Sequence, residues 1–70
     1  MTLKWRKFGR DIKERRQVEG LSVRDVAKRL KITPATISRA DRGLPVSAET
    51  FLALASYFLD TDPRVYISKT

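Results

Sequence analysis

The side chains of this chain that have chemistry to offer are cations and hydroxyls, and several lie close together. Between Thr33 and Arg42 stand Thr36, Ser38, Arg39 and Arg42, with Pro34 and Ala35 as small apolar neighbours. A guanidinium is a planar fork of donors that pairs with a guanine edge or a phosphate, and a methyl-sized side chain can meet the methyl group of thymine. This set is suited to recognition of a surface rather than to bond breaking. Catalysis has no comparable set. The chain contains no His and no Cys, which removes the usual general base, the commonest metal ligand and the cysteine nucleophile. Ser, Lys and Asp show no pairing of nucleophile with base, and the carboxylates form no cluster that would bind a metal. The expectation is a non-enzyme with no cofactor, no metal and no small-molecule ligand.

Charge points the same way. Among 70 residues there are 15 Lys/Arg and 8 Asp/Glu, a net charge of +7. Residues 1–43 hold thirteen of those cations and five of the carboxylates, whereas residues 44–70 hold two and three. Solubility alone does not require such segregation, and a polyanionic partner would. The length suits one small domain, expected to span residues 1–70. No apolar run approaches the roughly 20 residues that cross a bilayer. Met1 to Arg10 lacks the apolar stretch of a secretory signal. The absence of Cys is compatible with the cytosol.

The elements that must position these residues are announced by repeated helix-start signals. Ser22 with Asp25 makes a capping box, with Leu21 and Val26 as its hydrophobic staple. Thr33 is an N-cap ahead of Pro34, stapled by Ile32 and Ile37, and Ser47 opens a further helix, stapled by Val46 and Phe51. Gly20 and Gly43 fall where C-caps are wanted. The spacing predicts helices over 4–18, 23–30, 34–42 and 48–59. The inner faces would be Trp5, Phe8 and Ile12, then Val26, Ala27 and Leu30, then Ile37 and Ala40, then Phe51, Leu54, Ala55 and Phe58. Asp62-Pro63 would start a short fifth helix through about Ile67, with a strand over 65–68 as the alternative. The fold class is therefore all-α, a compact bundle of four to five short helices. The second and third are joined only by Lys31, Ile32 and Thr33, a connection short enough to force a steep crossing. Gly9 inside the first helix costs about 0.8–1 kcal/mol relative to Ala, which argues for a close neighbour there.

These pieces in this order resemble the Cro/cI-type (phage-repressor, XRE-like) helix-turn-helix family. The resemblance rests on Phe8-Gly9, Ile12, Arg16, Gly20-Leu21-Ser22, Val26-Ala27, Leu30, Ile32, Thr36-Ile37-Ser38-Arg39, Asp41-Arg42-Gly43, Pro45, Ser47 and the apolar helix from Phe51 to Phe58. It implies a lambda-repressor-like bundle with the helix-turn-helix proper over about 22–43. It further implies a domain that binds operator DNA, usually as a dimer on a palindrome, and that regulates transcription. It implies an ion pair between Arg16 and Asp41. Lys31 stands where the family's turn usually holds Gly, so a left-handed Lys31 would cost on the order of 1 kcal/mol.

Projection of the third helix turns Ala35, Arg39 and Arg42 away from the buried Ile37 and Ala40, with Ser38 on the flank. Arg39, Ala35, Ser38 and Pro34 are thus the expected base contacts. Arg16, Arg24, Lys31, Thr33, Thr36, Arg42 and the Gly43 backbone N–H are the expected phosphate contacts. The resulting expectation is a sequence-specific regulator of double-stranded DNA, a repressor in the bacterial or phage cytoplasm, at the nucleoid. Its homodimer would form through helix 48–59 and the C-terminal segment. The alternative is an antitoxin or adaptor that binds a protein through the same two segments. RNA recognition is disfavoured because the aromatics occupy inward or terminal positions instead of an exposed stacking platform.

Overall fold

The computed structural model describes residues 2–59 and 62–68; the expected domain limits at Met1 and at 69–70 lie outside them. Four α-helices follow one another: α1 (Trp5–Val18), α2 (Val23–Leu30), α3 (Pro34–Asp41) and α4 (Ala48–Phe58). The fold is all-α, as the helical spacing requires, with a minimal β component at the termini. Strand β1 (Thr2–Leu3) pairs antiparallel with β2 (Ile67–Ser68), Leu3 opposite Ile67.

The starts of α2, α3 and α4 work as their side chains dictate. Ser22 Oγ accepts from the Asp25 N–H, and the Asp25 carboxylate accepts from the Ser22 N–H at 2.9 Å. Hydrogen bonding to the carboxylate, from the Ser22 backbone first and then from its side chain, holds the Asp25 carboxyl below its ordinary pKa. Thr33 and Ser47 accept from the N–H groups of Thr36 and Thr50. The ends of α1 and α3 close alike: Leu21 N–H reaches the Arg16 carbonyl and Leu44 N–H the Arg39 carbonyl, each at 3.0 Å. Arg42 and Leu59, expected as last helical residues, are instead the C-caps of α3 and α4.

At the end of α2 the left-handed position is held by Lys31, with φ 56° and ψ 42°. The Ile32 N–H reaches the Ala27 carbonyl at 3.0 Å, so the cap forms despite the Cβ. A β-carbon there costs about 1–2 kcal/mol, partly offset by the larger unfolded-state entropy of Gly. Lys31→Gly is expected to raise stability by about 1 kcal/mol, read as a melting-temperature rise of about 4–8 °C.

The expected fifth α-helix is not formed. Pro63–Tyr66 makes a single 3-10 turn capped by Asp62, and Ile67 already belongs to β2. The reason is a competing partner: the Lys4 N–H takes the Tyr66 carbonyl at 2.7 Å, which draws the chain into the terminal ladder. The core contains the inner-face residues of all four helices, with Ile12, Val26, Ile37 and Leu54 fully buried. Leu21, Ile32 and Val46 pack on it as the staple residues. Trp5 and Leu30, counted on the inner faces, are only half-buried.

Tyr66 completes the core. Its ring lies edge-on to Phe8 at 5.3 Å and to Phe51 at 6.3 Å. Its hydroxyl donates to Asp11 Oδ2 at 2.7 Å, the same oxygen that Lys7 approaches at 3.2 Å. Burial, reinforced by the Asp11 carboxylate, pushes the Tyr66 hydroxyl pKa well above its usual value. Burial works to raise the Asp11 carboxyl, but the Tyr66 and Lys7 hydrogen bonds outweigh it and leave it below the ordinary range. The tail is therefore pinned to α1 by both packing and charge.

Candidate nucleic-acid interface

The outward face of α3 is built from its two ends. Thr33 and Pro34 start the helix, and the Gly43 turn, with φ 76°, stops it, so eight residues project between fixed points. Ile37 and Ala40 are buried beneath, whereas Pro34, Ala35, Arg39 and Arg42 are exposed and Thr36 and Ser38 are half-buried. α3 packs on both α1 and α2 and keeps this face in solvent.

Two open grooves lie beside its N-terminal end. One, of about 480 Å³, is lined by Arg24, Ala27, Lys28, Ile32 and Pro34. The other, of about 390 Å³, includes Lys31, Thr33, Thr36, Glu49 and Thr50. Thr33 and Thr36 share a hydroxyl–hydroxyl hydrogen bond at 2.8 Å. Whichever of the two donates, one hydroxyl hydrogen remains for an acceptor in the groove. Arg39 donates from Nη2 to the Pro45 carbonyl at 3.2 Å, and Arg42 from Nε to the Ser38 carbonyl at 3.4 Å. Both bonds are long and exposed, so each guanidinium keeps donors to exchange for another acceptor.

A model of the helix-turn-helix domain matches residues 7–65, from α1 through the 3-10 turn. The chain belongs to the helix-turn-helix domain family. No curated protein and no solved structure matches it significantly. α2 and α3, joined by the Lys31 turn, both lie within the matched residues of this helix-turn-helix domain. The match accords with the Cro/cI-type resemblance of the sequence.

Two expected phosphate contacts are turned to other work. The guanidinium of Arg16 points inward, its side chain 12% exposed, donating to the Leu21 carbonyl at 2.9 Å and to Asp41 Oδ2 at 2.6 Å. The Gly43 N–H donates to the Ala40 carbonyl at 3.0 Å as part of the helix stop. Neither group joins the exposed set: Arg16 is held inward by Leu21 and Asp41, and the Gly43 N–H is taken by the helix stop. The helix-turn-helix domain also holds a residue that the sequence reading passed over. Lys28 lines the same groove as Arg24 and Pro34, and its position four residues after Arg24 is the signal that would have found it. Among the described residues no group of three or more acidic, His or Cys side chains could hold a metal ion. No described helix is long and apolar enough to cross a membrane.

Proposed function

We propose that this helix-turn-helix domain, acting as one unit over residues 1–70, binds double-stranded DNA sequence-specifically with α3 in the major groove, and that it regulates transcription as a repressor. The observation that carries the reading is the α3 face. It presents an exposed small apolar start, Pro34 and Ala35, a central arginine, Arg39, and a terminal one, Arg42, with two grooves edged by Arg24, Lys28 and Lys31 beside its N-terminal end. Arg39 is the base reader in this account, because a bidentate Arg–guanine pair discriminates by about 1–3 kcal/mol. Ala35, Pro34 and Ser38 supply shape and apolar contact beside it. Arg24, Lys28, Lys31, Arg42 and the Thr33/Thr36 hydroxyls hold phosphates, which set register without reading sequence. Such a protein acts in the cytoplasm, at the nucleoid.

The homodimer belongs to the same proposal. Leu52 is 52% and Tyr57 39% exposed on α4, and Val65 beside the tail is 44% exposed. Burying such exposed side chains of α4 and the C-terminal segment between two copies would place two α3 helices on half-sites roughly 10 bp apart. The adaptor or antitoxin alternative draws on the same two segments, and a footprint separates the two readings.

The test is selection from randomised duplexes, followed by footprinting and two variants. A selected site with a symmetric footprint is the expected result. Arg39→Ala should weaken that site by about 5–150-fold, equivalent to about 1–3 kcal/mol, and relax preference at one base pair per half-site. Arg42→Ala should weaken matched and mismatched sites alike. No enrichment over the starting pool would overturn sequence-specific binding, and equal losses on both sites for Arg39→Ala would make it a phosphate clamp.

A further inference from the structure

α1 carries six cations, and the structure divides them into two groups of three. Lys7 is paired with Asp11 at 3.2 Å, Arg15 with Glu19 at 3.0 Å and Arg16 with Asp41 at 2.6 Å. Arg6, Arg10 and Lys13 are exposed and, among the described residues, have neither an ion-pair partner nor a side-chain hydrogen bond. At 100° per residue these three fall within an arc of about 60° and form a single stripe about 10 Å long. The acidic side chain nearest that arc is Glu14, one turn beyond Arg10 and rotated off the line by about 40°. Arrangement on one face, without partners, is what separates this stripe from the paired cations on the rest of the helix.

Its position decides what it meets. A β-carbon on Gly43 would lie 3.0 Å from the Arg6 Cα and 3.3 Å from its Cγ, so the root of Arg6 rests on the turn that ends α3. Arg42 immediately precedes that turn. The positive charge of the α3 face thus runs past its C-terminus onto Arg6 and along α1 through Arg10 to Lys13.

We infer that the Arg6–Arg10–Lys13 stripe is a second phosphate-binding track, which engages the backbone of the duplex beyond the segment covered by α3. This rests on the DNA-binding reading above and extends it to flanking DNA. Each strand of B-DNA presents one charge per roughly 3.4 Å of axis, so a stripe of this length spans about three phosphates. Contacts of this kind carry no base information and add affinity to any sequence long enough to reach them.

The experiment compares the full chain with two triple variants on a mixed-sequence duplex of roughly 30 bp, between about 50 and 200 mM salt. One is Arg6→Gln/Arg10→Gln/Lys13→Gln. The other, Lys4→Gln/Arg15→Gln/Arg64→Gln, removes the same net charge from exposed positions off the stripe. Gln is a good helix former, and thermal melts verify that both variants fold. The unaltered slope of log affinity against log salt should become less negative by about 0.9 per lost contact, up to about 2.7, in the stripe variant. The control should move by less than one contact's worth. The stripe variant should also lose the advantage that the long duplex holds over one trimmed to the α3 footprint. Equal slopes for the two variants would overturn the second track, while the Arg39 and Arg42 results stand independently. Failure of the unaltered chain to bind any duplex would overturn the DNA-binding reading, and the track with it.

Discussion

Gly9→Ala is expected to lower the melting temperature by on the order of 10–20 °C, corresponding to about 2–3 kcal/mol for a chain of this size. Helix propensity alone predicts the opposite sign, since Ala in a helix interior is favoured over Gly by about 0.8–1 kcal/mol. The contact geometry reverses it. A β-carbon on Gly9 would run into the Ala40 carbonyl oxygen and would stand 2.8 Å from the Gly43 nitrogen. Both are backbone atoms of the α3 terminus and its stop, so no rotamer change relieves the overlap. α3 must move away from α1, which loosens Ile37 and Ala40 together with the exposed face that α3 presents. Thermal and urea melts of Gly9→Ala measure the loss directly. A melting temperature equal to or above that of the unaltered chain would show that α1 and α3 are not in this close contact.

Asp41→Ala is expected to destabilise by about 3 kcal/mol, the lower end for breaking a buried ion pair. Asp41 and Arg16 are 10% and 12% exposed at their side chains, so removal of the carboxylate strands a guanidinium that solvent barely reaches. The pair is single-pronged: among the described residues Arg16 Nε and Asp41 Oδ1 are buried without hydrogen-bond partners. Its net contribution to stability is accordingly small, and the cost of the variant comes from the stranded charge. Some is returned, because a carboxylate at the last residue of α3 opposes the helix dipole. Arg16→Met/Asp41→Ala should therefore recover much of the loss, and a double-mutant cycle from urea melts reads the coupling. Additive losses would make Arg16–Asp41 a surface pair of little consequence.

Much of the fold was legible in the residues. The α2 boundaries follow from Ser22 and Asp25 at one end and the short Lys31–Thr33 connection at the other, and α3 starts where Thr33 and Pro34 require. The exposed Arg39 and Ala35 followed from counting around a helix whose buried side was marked by Ile37 and Ala40. The C-terminal segment was less legible. Val65, Tyr66 and Ile67 suit a helix turn or a strand, and the chain uses one after the other because β1 supplies Leu3 as a partner for Ile67 from the other end of the chain. At Ala40 the α1 backbone closes directly onto the end of α3, at Gly9, while Trp5, Phe8, Phe51 and Tyr66 gather against one another.

By itself the sequence determined what local chemistry controls: the helix starts, the buried stripe of each helix, the bias of positive charge and the residues on the outer face of α3. Caps and helix faces depend on partners three or four positions apart, so the residues that decide them stand together in the chain. The tertiary structure alone decided which groups remain free to meet DNA. It turned Arg16 inward onto Asp41, 25 positions away, and fastened Tyr66 to Asp11 across 55. Among the described residues it also left Arg6, Arg10 and Lys13 unpaired along α1, with Arg6 beside the end of α3. Those outcomes depend on which helices pack together and how closely, and a small side chain such as Gly9 sets that distance only once α3 lies against it.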